Sequence, residues 1–161
     1  MEVGDGVSAI ATLIAAWVAI RSFNKWTNQK GSEVIANEAK AIFELLEEMP
    51  SRANAVLEEM MAMVLHNKVP VDFDEKANAE NFRKLYVEII RRLDLLKFKN
   101  KDKYTIEIID NFKECSAQYF INYYRKSPDL EEILKTHTQY EDSLKHLKNE
   151  MYEYALYKKT I

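Results

Sequence analysis

The stretch VSAIATLIAAWVAI, Val7 to Ile20, runs fourteen residues without a charge between Asp5 and Arg21. A helix rises about 1.5 Å per residue, so this run covers roughly 21 Å of a hydrocarbon layer about 30 Å thick. Extended from Gly4 to Phe23 it becomes long enough to span, with Asp5 at one headgroup layer and Arg21 snorkelling to the other. Arg21, Phe23, Lys25, Trp26 and Lys30 then form an aromatic and basic collar of the kind found at a membrane surface, whereas Glu2 and Asp5 precede the run. Basic flanks face the cytoplasm, so the expectation is a single transmembrane helix with its N-terminus outside and the bulk of the chain within. A secretory signal fits less well, because the leading residues are acidic and Arg21-Ser22-Phe23-Asn24-Lys25 is a poor cleavage region. The stronger rival is a hydrophobic helix buried in a soluble fold, since runs of this length also occur in cores.

Small residues recur every fourth position in the run. Gly4, Ser8, Thr12 and Ala16 form one row, and Ala11, Ala15 and Ala19 an adjacent one. Such rows let helix backbones approach closely, and Ser or Thr can hydrogen-bond across the contact, which marks Ser8, Thr12, Ala15 and Ala16 as candidates for self-association. Alanine is also common in apolar helices that associate with nothing.

The rest of the 161-residue chain has the length of one domain with its own core. Three glycines and three prolines leave little turn chemistry for a sheet, and the composition reads as all-helical. The expected organisation is an anchor and juxtamembrane segment over 1–30, then a cytoplasmic antiparallel bundle of about five helices over 31–161. Gly31 is a soft spot in an otherwise continuous rod.

Ile35, Ala39, Ile42, Leu46 and Met49 set an amphipathic seam that is expected to stop before Pro50, with Ser51 capping a second helix through Ala53, Val56, Met60 and Met63. Residues 67–77 have loop composition. A third helix carries Phe82, Leu85, Ile89, Leu93 and Leu96, and a fourth Ile109, Phe112, Ser116, Tyr119 and Tyr123. Ser127-Pro128-Asp129 then signals a start, with Ser as N-cap and Pro at the first helical position. The last helix places Leu130, Ile133, His137, Tyr140, Leu144, Leu147, Met151 and Tyr154 on a coiled-coil-like seam flanked by Glu141, Lys148 and Glu150. Packing within its own bundle is the simpler use of that seam, and dimerisation the alternative.

Catalytic signatures are missing. There is no Gly-rich phosphate loop or nucleophile elbow, so the chain is not expected to be an enzyme and no cofactor is implied. Carboxylate-bridged metal bundles need Glu-x-x-His, yet Met63, Leu134 and Ser143 stand three before His66, His137 and His146. His137 falls on the seam as a polar group that fixes register, with pH sensing as its functional alternative. His66 and His146 are expected at the surface, and the single Cys115 in the core.

RRLDLLKFKNKDK, Arg91 to Lys103, holds six basic residues, Arg91, Arg92, Lys97, Lys99, Lys101 and Lys103, against two acidic ones. This is a candidate contact for phosphate: anionic lipid headgroups beneath a membrane, or nucleic acid, although no nucleic-acid fold signature accompanies it. A plain solvated helix end with cations at its negative terminus is the preferred reading of the run. A net charge of −3 also lacks the overall basicity of a nucleic-acid protein.

The apolar helix, the juxtamembrane Trp26, Gln29 and Lys30, and the following SEVIANEAKAIFELLEE together resemble a loose set of small, uncharacterised bacterial single-pass inner-membrane proteins with a helical cytoplasmic domain. The resemblance covers about the first third of the chain. It implies bacterial inner-membrane placement and carries over no functional residues. The functional expectation is a non-enzymatic scaffold that holds a protein partner, or copies of itself, at the membrane, with no small-molecule substrate. The alternatives are a membrane-active effector of toxin or phage-defence type, and a soluble regulatory or nucleic-acid-binding bundle.

Overall fold

The computed structural model describes the backbone over residues 3–66, 77–99, 102–125 and 129–156, and the side chains of the same residues apart from 3–15, 28, 66 and 99. Four helices account for nearly all of it: α1 (Val3–His66), α2 (Ala77–Lys99), α3 (Lys103–Tyr123) and α4 (Leu130–Ala155). No strand occurs among the described residues. The chain divides into two compact units, Met1–Val34 and Ile35–Ile161, so the boundary falls within α1. The described part of the first unit is helix alone, and its described side chains from Ala16 to Lys30 are exposed. Among the described residues no helix is long and apolar enough to cross a membrane. Most of the Val7–Ile20 run lies outside the described side chains.

The expected helix end before Pro50 is overturned, and with it the count of about five helices in the bundle. Pro50 sits inside α1, which runs through it and through Gly31, and Ser51 is an exposed mid-helix residue. A proline within a helix lacks one N–H and crowds the carbonyl four residues back, here Leu46, at a cost of about 3 kcal/mol. On both sides of it, however, Ile42, Leu46, Met49, Val56 and Met60 keep one phase and are 1 % exposed or less. Burying each such side chain is worth about 1.5–3 kcal/mol, so the continuous seam outweighs the proline.

In the second unit the helices alternate in direction. Glu38 and Arg92 pair at one end of the α1/α2 interface, and Glu59 and Asn78 at the other, which makes these helices antiparallel. The same logic holds for α2/α3, where Lys97 meets Asp110 and Asp94 meets Lys113. In α3/α4, Thr105 reaches Glu150 while Asn122 reaches Thr136. The ring closes through α1/α4, where Lys148 meets Glu47 and Phe43 packs on Tyr152. Thus α1 from Ile35 onward, α2, α3 and α4 form an up-down-up-down four-helix bundle.

One core runs through all four helices. Phe82, Phe112, Tyr119, Tyr140 and Tyr154 are its largest fully buried members, joined by Leu46, Met60, Ile89, Leu93 and Ile109. The seam expected on α4 faces this interior, with Ile133, Tyr140, Leu147, Met151 and Tyr154 all 1 % exposed or less. Helix α3 starts at Asp102, whose carboxylate accepts the Tyr104 N–H at 3.1 Å. At α4 the cap is Asp129, which accepts the Glu131 N–H at 3.2 Å, and not the expected Ser127, which lies outside the described residues with Pro128. Glu131 and Glu132 in the first turn add favourable charge against the positive helix end.

Candidate functional site

Along Ala16–Trp26 the helix exposes several large apolar side chains to solvent. Trp17, Ile20, Phe23 and Trp26 are 56–63 % exposed, and Val18 is nearly as open. The Arg21 guanidinium lies over the Trp17 ring, 5.3 Å from its centroid, and Phe23 and Trp26 are 6.1 Å apart. Lys25 is exposed beside them. The four residues expected at a membrane interface, Arg21, Phe23, Lys25 and Trp26, therefore share one exposed helical segment. Thr27 turns its hydroxyl back to the Phe23 carbonyl at 2.8 Å. Lys30 pairs with Glu33 at 2.9 Å, and this hydrogen bond, with the carboxylate charge, raises its pKa. Of the candidates for self-association, Ala16 is exposed, while the side chains of Ser8, Thr12 and Ala15 lie outside the described residues.

Among the described residues the basic run is not assembled into one surface. Arg92 turns inward to Glu38 at 2.9 Å and Glu88 at 2.8 Å, and these hydrogen bonds hold its guanidinium above its usual pKa. Lys97 is engaged by Asp110 on α3, and Arg91 lies 3.6 Å from Glu88. Lys103 is exposed at the start of α3, and Lys99 and Lys101 fall outside the described side chains. Two of the six cations thus fasten α2 to its neighbours, and acids accompany them. Phe98, between Lys97 and Lys99 in sequence, is 91 % exposed.

Two groups of buried polar residues were not foreseen as groups. In the middle of the bundle His137 is buried, with its ring 5.5 Å from Tyr119 and 6.4 Å from Tyr140, while Tyr119 and Tyr140 stack at 5.3 Å. Tyr119 donates to the Ala53 carbonyl. Ser116 Oγ, His137 Nδ1 and Tyr140 Oη have no hydrogen-bond partner among the described residues. Burial raises the pKa of both tyrosines, more than the nearby carboxylates do, so their hydroxyls stay protonated. Near the start of α3, Thr105 Oγ1 meets Asp102 at 2.9 Å, Tyr154 Oη at 3.1 Å and the Glu150 carboxylate. Glu150, expected to flank the α4 seam, is 4 % exposed and a buried member of this group. The heptad pattern could mark these positions as near the seam. It could not show which helix faced them.

Cys115 is half-buried at the bundle's edge, where its thiol lies 3.8 Å from Asn111 Oδ1, a correction to the core position expected of it. His146 is exposed, as expected, and the His66 side chain lies outside the described residues. Among the described residues no group of three or more His, Cys, Asp or Glu could hold a metal ion. A shallow groove of about 280 Å³ lies beside Pro50, lined by Glu141, Leu144, Lys145, Lys148 and Asn149. Its walls mix one acid with two lysines and present no convergent polar set of the kind that orients a substrate. The class these observations define is an all-α protein whose four-helix bundle follows an exposed aromatic and basic helical segment. Comparison with family models, curated proteins and solved structures finds no match.

Proposed function

We propose that the chain is a membrane-anchored, non-enzymatic interaction protein, with Gly4–Phe23 as the anchor and the bundle from Ile35 as the part presented to a partner. The observation that carries this is the exposure of Trp17, Ile20, Phe23 and Trp26 next to Arg21 and Lys25 on a helix. Four large apolar side chains, each more than half open, are costly in water, about 25 cal/mol for each Å² of apolar surface left uncovered. Aromatic rings with adjacent cations are the composition favoured where hydrocarbon gives way to headgroups. On this reading the basic side of the apolar run faces the cytoplasm of a bacterial cell, the side that basic flanks favour, and the bundle lies there with it. The rows of small residues fit association of copies through Ser8, Thr12, Ala15 and Ala16.

The test is fractionation of the full chain. After an alkaline carbonate wash it is expected in the lipid pellet and released by detergent. An Ala15→Arg variant is expected to shift to the soluble fraction, because a charge at mid-bilayer costs several kcal/mol. Recovery of the unaltered chain in the wash, or an arginine variant that stays with the lipid, would overturn the proposal. Growth arrest with dye leakage on expression would replace the scaffold with a membrane-active effector.

A further inference from the structure

We propose that His137 makes the bundle a pH-sensitive element, in which acidification protonates a ring enclosed between α3 and α4 and loosens the packing around Tyr119 and Tyr140. The geometry comes first. His137 lies 8 % exposed on the inward seam of α4. A neutral imidazole there needs one acceptor and one donor, and a protonated one needs two acceptors. One acceptor is at hand: Nε2 lies 3.4 Å from Glu141 Oε1. The other nitrogen, Nδ1, has no partner among the described residues. Protonation would therefore bury an N–H with no acceptor, together with a charge only half offset by a carboxylate that is itself 53 % exposed.

None of the groups facing the ring makes a hydrogen bond to Nδ1 among the described residues. From α3 comes Tyr119, whose hydroxyl is turned to the Ala53 carbonyl of α1 and makes no hydrogen bond with the ring. From α1 the charge of Glu59 acts on that same tyrosine, and from α4 come Tyr140 and Glu141. Helix α2 faces the cluster with Phe82, edge-on to both Tyr119 and Tyr140. Burial lowers the His137 pKa from its ordinary 6.5, and this outweighs the opposing pull of the Glu141 charge and hydrogen bond.

The sign follows by linkage. A histidine whose folded pKa lies below its unfolded value is neutral in the fold and charges more readily once unfolded. Its contribution to stability is complete above pH 6.5, declines as the pH falls from 6.5 towards the folded pKa, and is level below that. Each unit of depression corresponds to about a tenfold loss in the folding constant across that window.

Two measurements on the full chain in a mild non-ionic detergent test this. The first is the urea unfolding midpoint from pH 7.5 to 5.0 for the wild type, His137→Gln and Glu141→Gln. The wild type is expected to lose stability on acidification, His137→Gln to lose at least severalfold less in its folding constant, and Glu141→Gln to lose more. The second is a proton NMR titration of His66→Gln/His146→Gln, which keeps His137 as the one imidazole of the three in the chain. Its resonance is expected to titrate below pH 6.5. Parallel loss in the wild type and His137→Gln, or a resonance that titrates at or above 6.5, overturns the proposal. The titration decides the matter even where His137→Gln does not fold.

Discussion

The Tyr119 hydroxyl donates to the backbone carbonyl of Ala53, 2.9 Å away, and so ties α3 to α1 across the diagonal of the bundle. Its stacked neighbour Tyr140 is equally buried, but its hydroxyl has no partner among the described residues. The two tyrosines should therefore respond differently to loss of the oxygen. Tyr119→Phe is expected to lower stability by about 1 kcal/mol, the net worth of one buried hydrogen bond. Tyr140→Phe removes an oxygen that is desolvated without compensation and is expected to be neutral or stabilising. Urea midpoints at constant m decide it, and a Tyr140→Phe loss larger than that of Tyr119→Phe would contradict the geometry.

Thr105 is the hub of the second buried polar group, within hydrogen-bond reach of Asp102, Glu150 and Tyr154. Thr105→Val keeps the shape and withdraws the hydroxyl from all three. A loss of about 1–3 kcal/mol is expected, the range for buried polar groups deprived of a partner. Thr138→Val is the control. Thr138 is exposed, its hydroxyl donates to the Leu134 carbonyl of its own helix, and its replacement is expected to fall within about 0.5 kcal/mol of wild type.

Pro50 gives a prediction of the opposite sign. Because α1 continues through it, Pro50→Ala restores an N–H for the Leu46 carbonyl and is expected to stabilise the bundle by as much as about 3 kcal/mol. Leu46→Ala, one turn away on the buried seam, is expected to cost about 2–5 kcal/mol through the cavity it leaves. Thermal unfolding of both variants measures the contrast. Destabilisation by Pro50→Ala would mean that the surrounding core has adapted to a local bend.

Exposure separates two phenylalanines on α2. Phe82 is fully buried, packing at 5.0 Å against Phe120 and edge-on to Tyr140, and its replacement by Ala is expected to cost about 3–5 kcal/mol. Phe98 is 91 % exposed, and Phe98→Ser is expected to change stability by no more than about 0.5 kcal/mol. Calorimetry of the two variants checks this. A large loss for Phe98→Ser would show that this ring is covered in solution.

Periodicity in the chain specified which residues turn inward. Ile35, Ala39, Ile42, Leu46 and Met49 on α1, and Ile133, Tyr140, Leu147 and Met151 on α4, are buried as their three-four spacing demanded. A helix presents one face per turn whatever it packs against, so this much is local information. Pro50 misled because a local rule about a missing N–H was outweighed by non-local burial on both sides of it. The partners of Arg92 and Lys97 were hidden for the same reason: Glu38 lies 54 positions from Arg92 in the sequence, and Asp110 lies 13 from Lys97. The exposed aromatic segment was legible because it is short-range, four large side chains and two cations within ten residues. The meeting of His137 with Tyr119, and of Glu150 with Thr105, depends on the register between α3 and α4, which no single-helix pattern encodes.

Because α4 runs antiparallel to α1, Phe43 lies beside Tyr152, and the point where the chain enters the bundle, Ile35, shares an end with the last turn of α4. Both covalent exits from the bundle therefore leave through the same door. A fluorophore at Leu156, just past the last turn of α4, would lie at the same end of the bundle as Ile35, whereas one at Leu65 on α1 or Leu130 on α4 would report from the far pole. Pulling between Ile35 and Leu156 would load the α1/α4 interface like a zipper, opening that pair one turn at a time before the rest of the bundle felt the force.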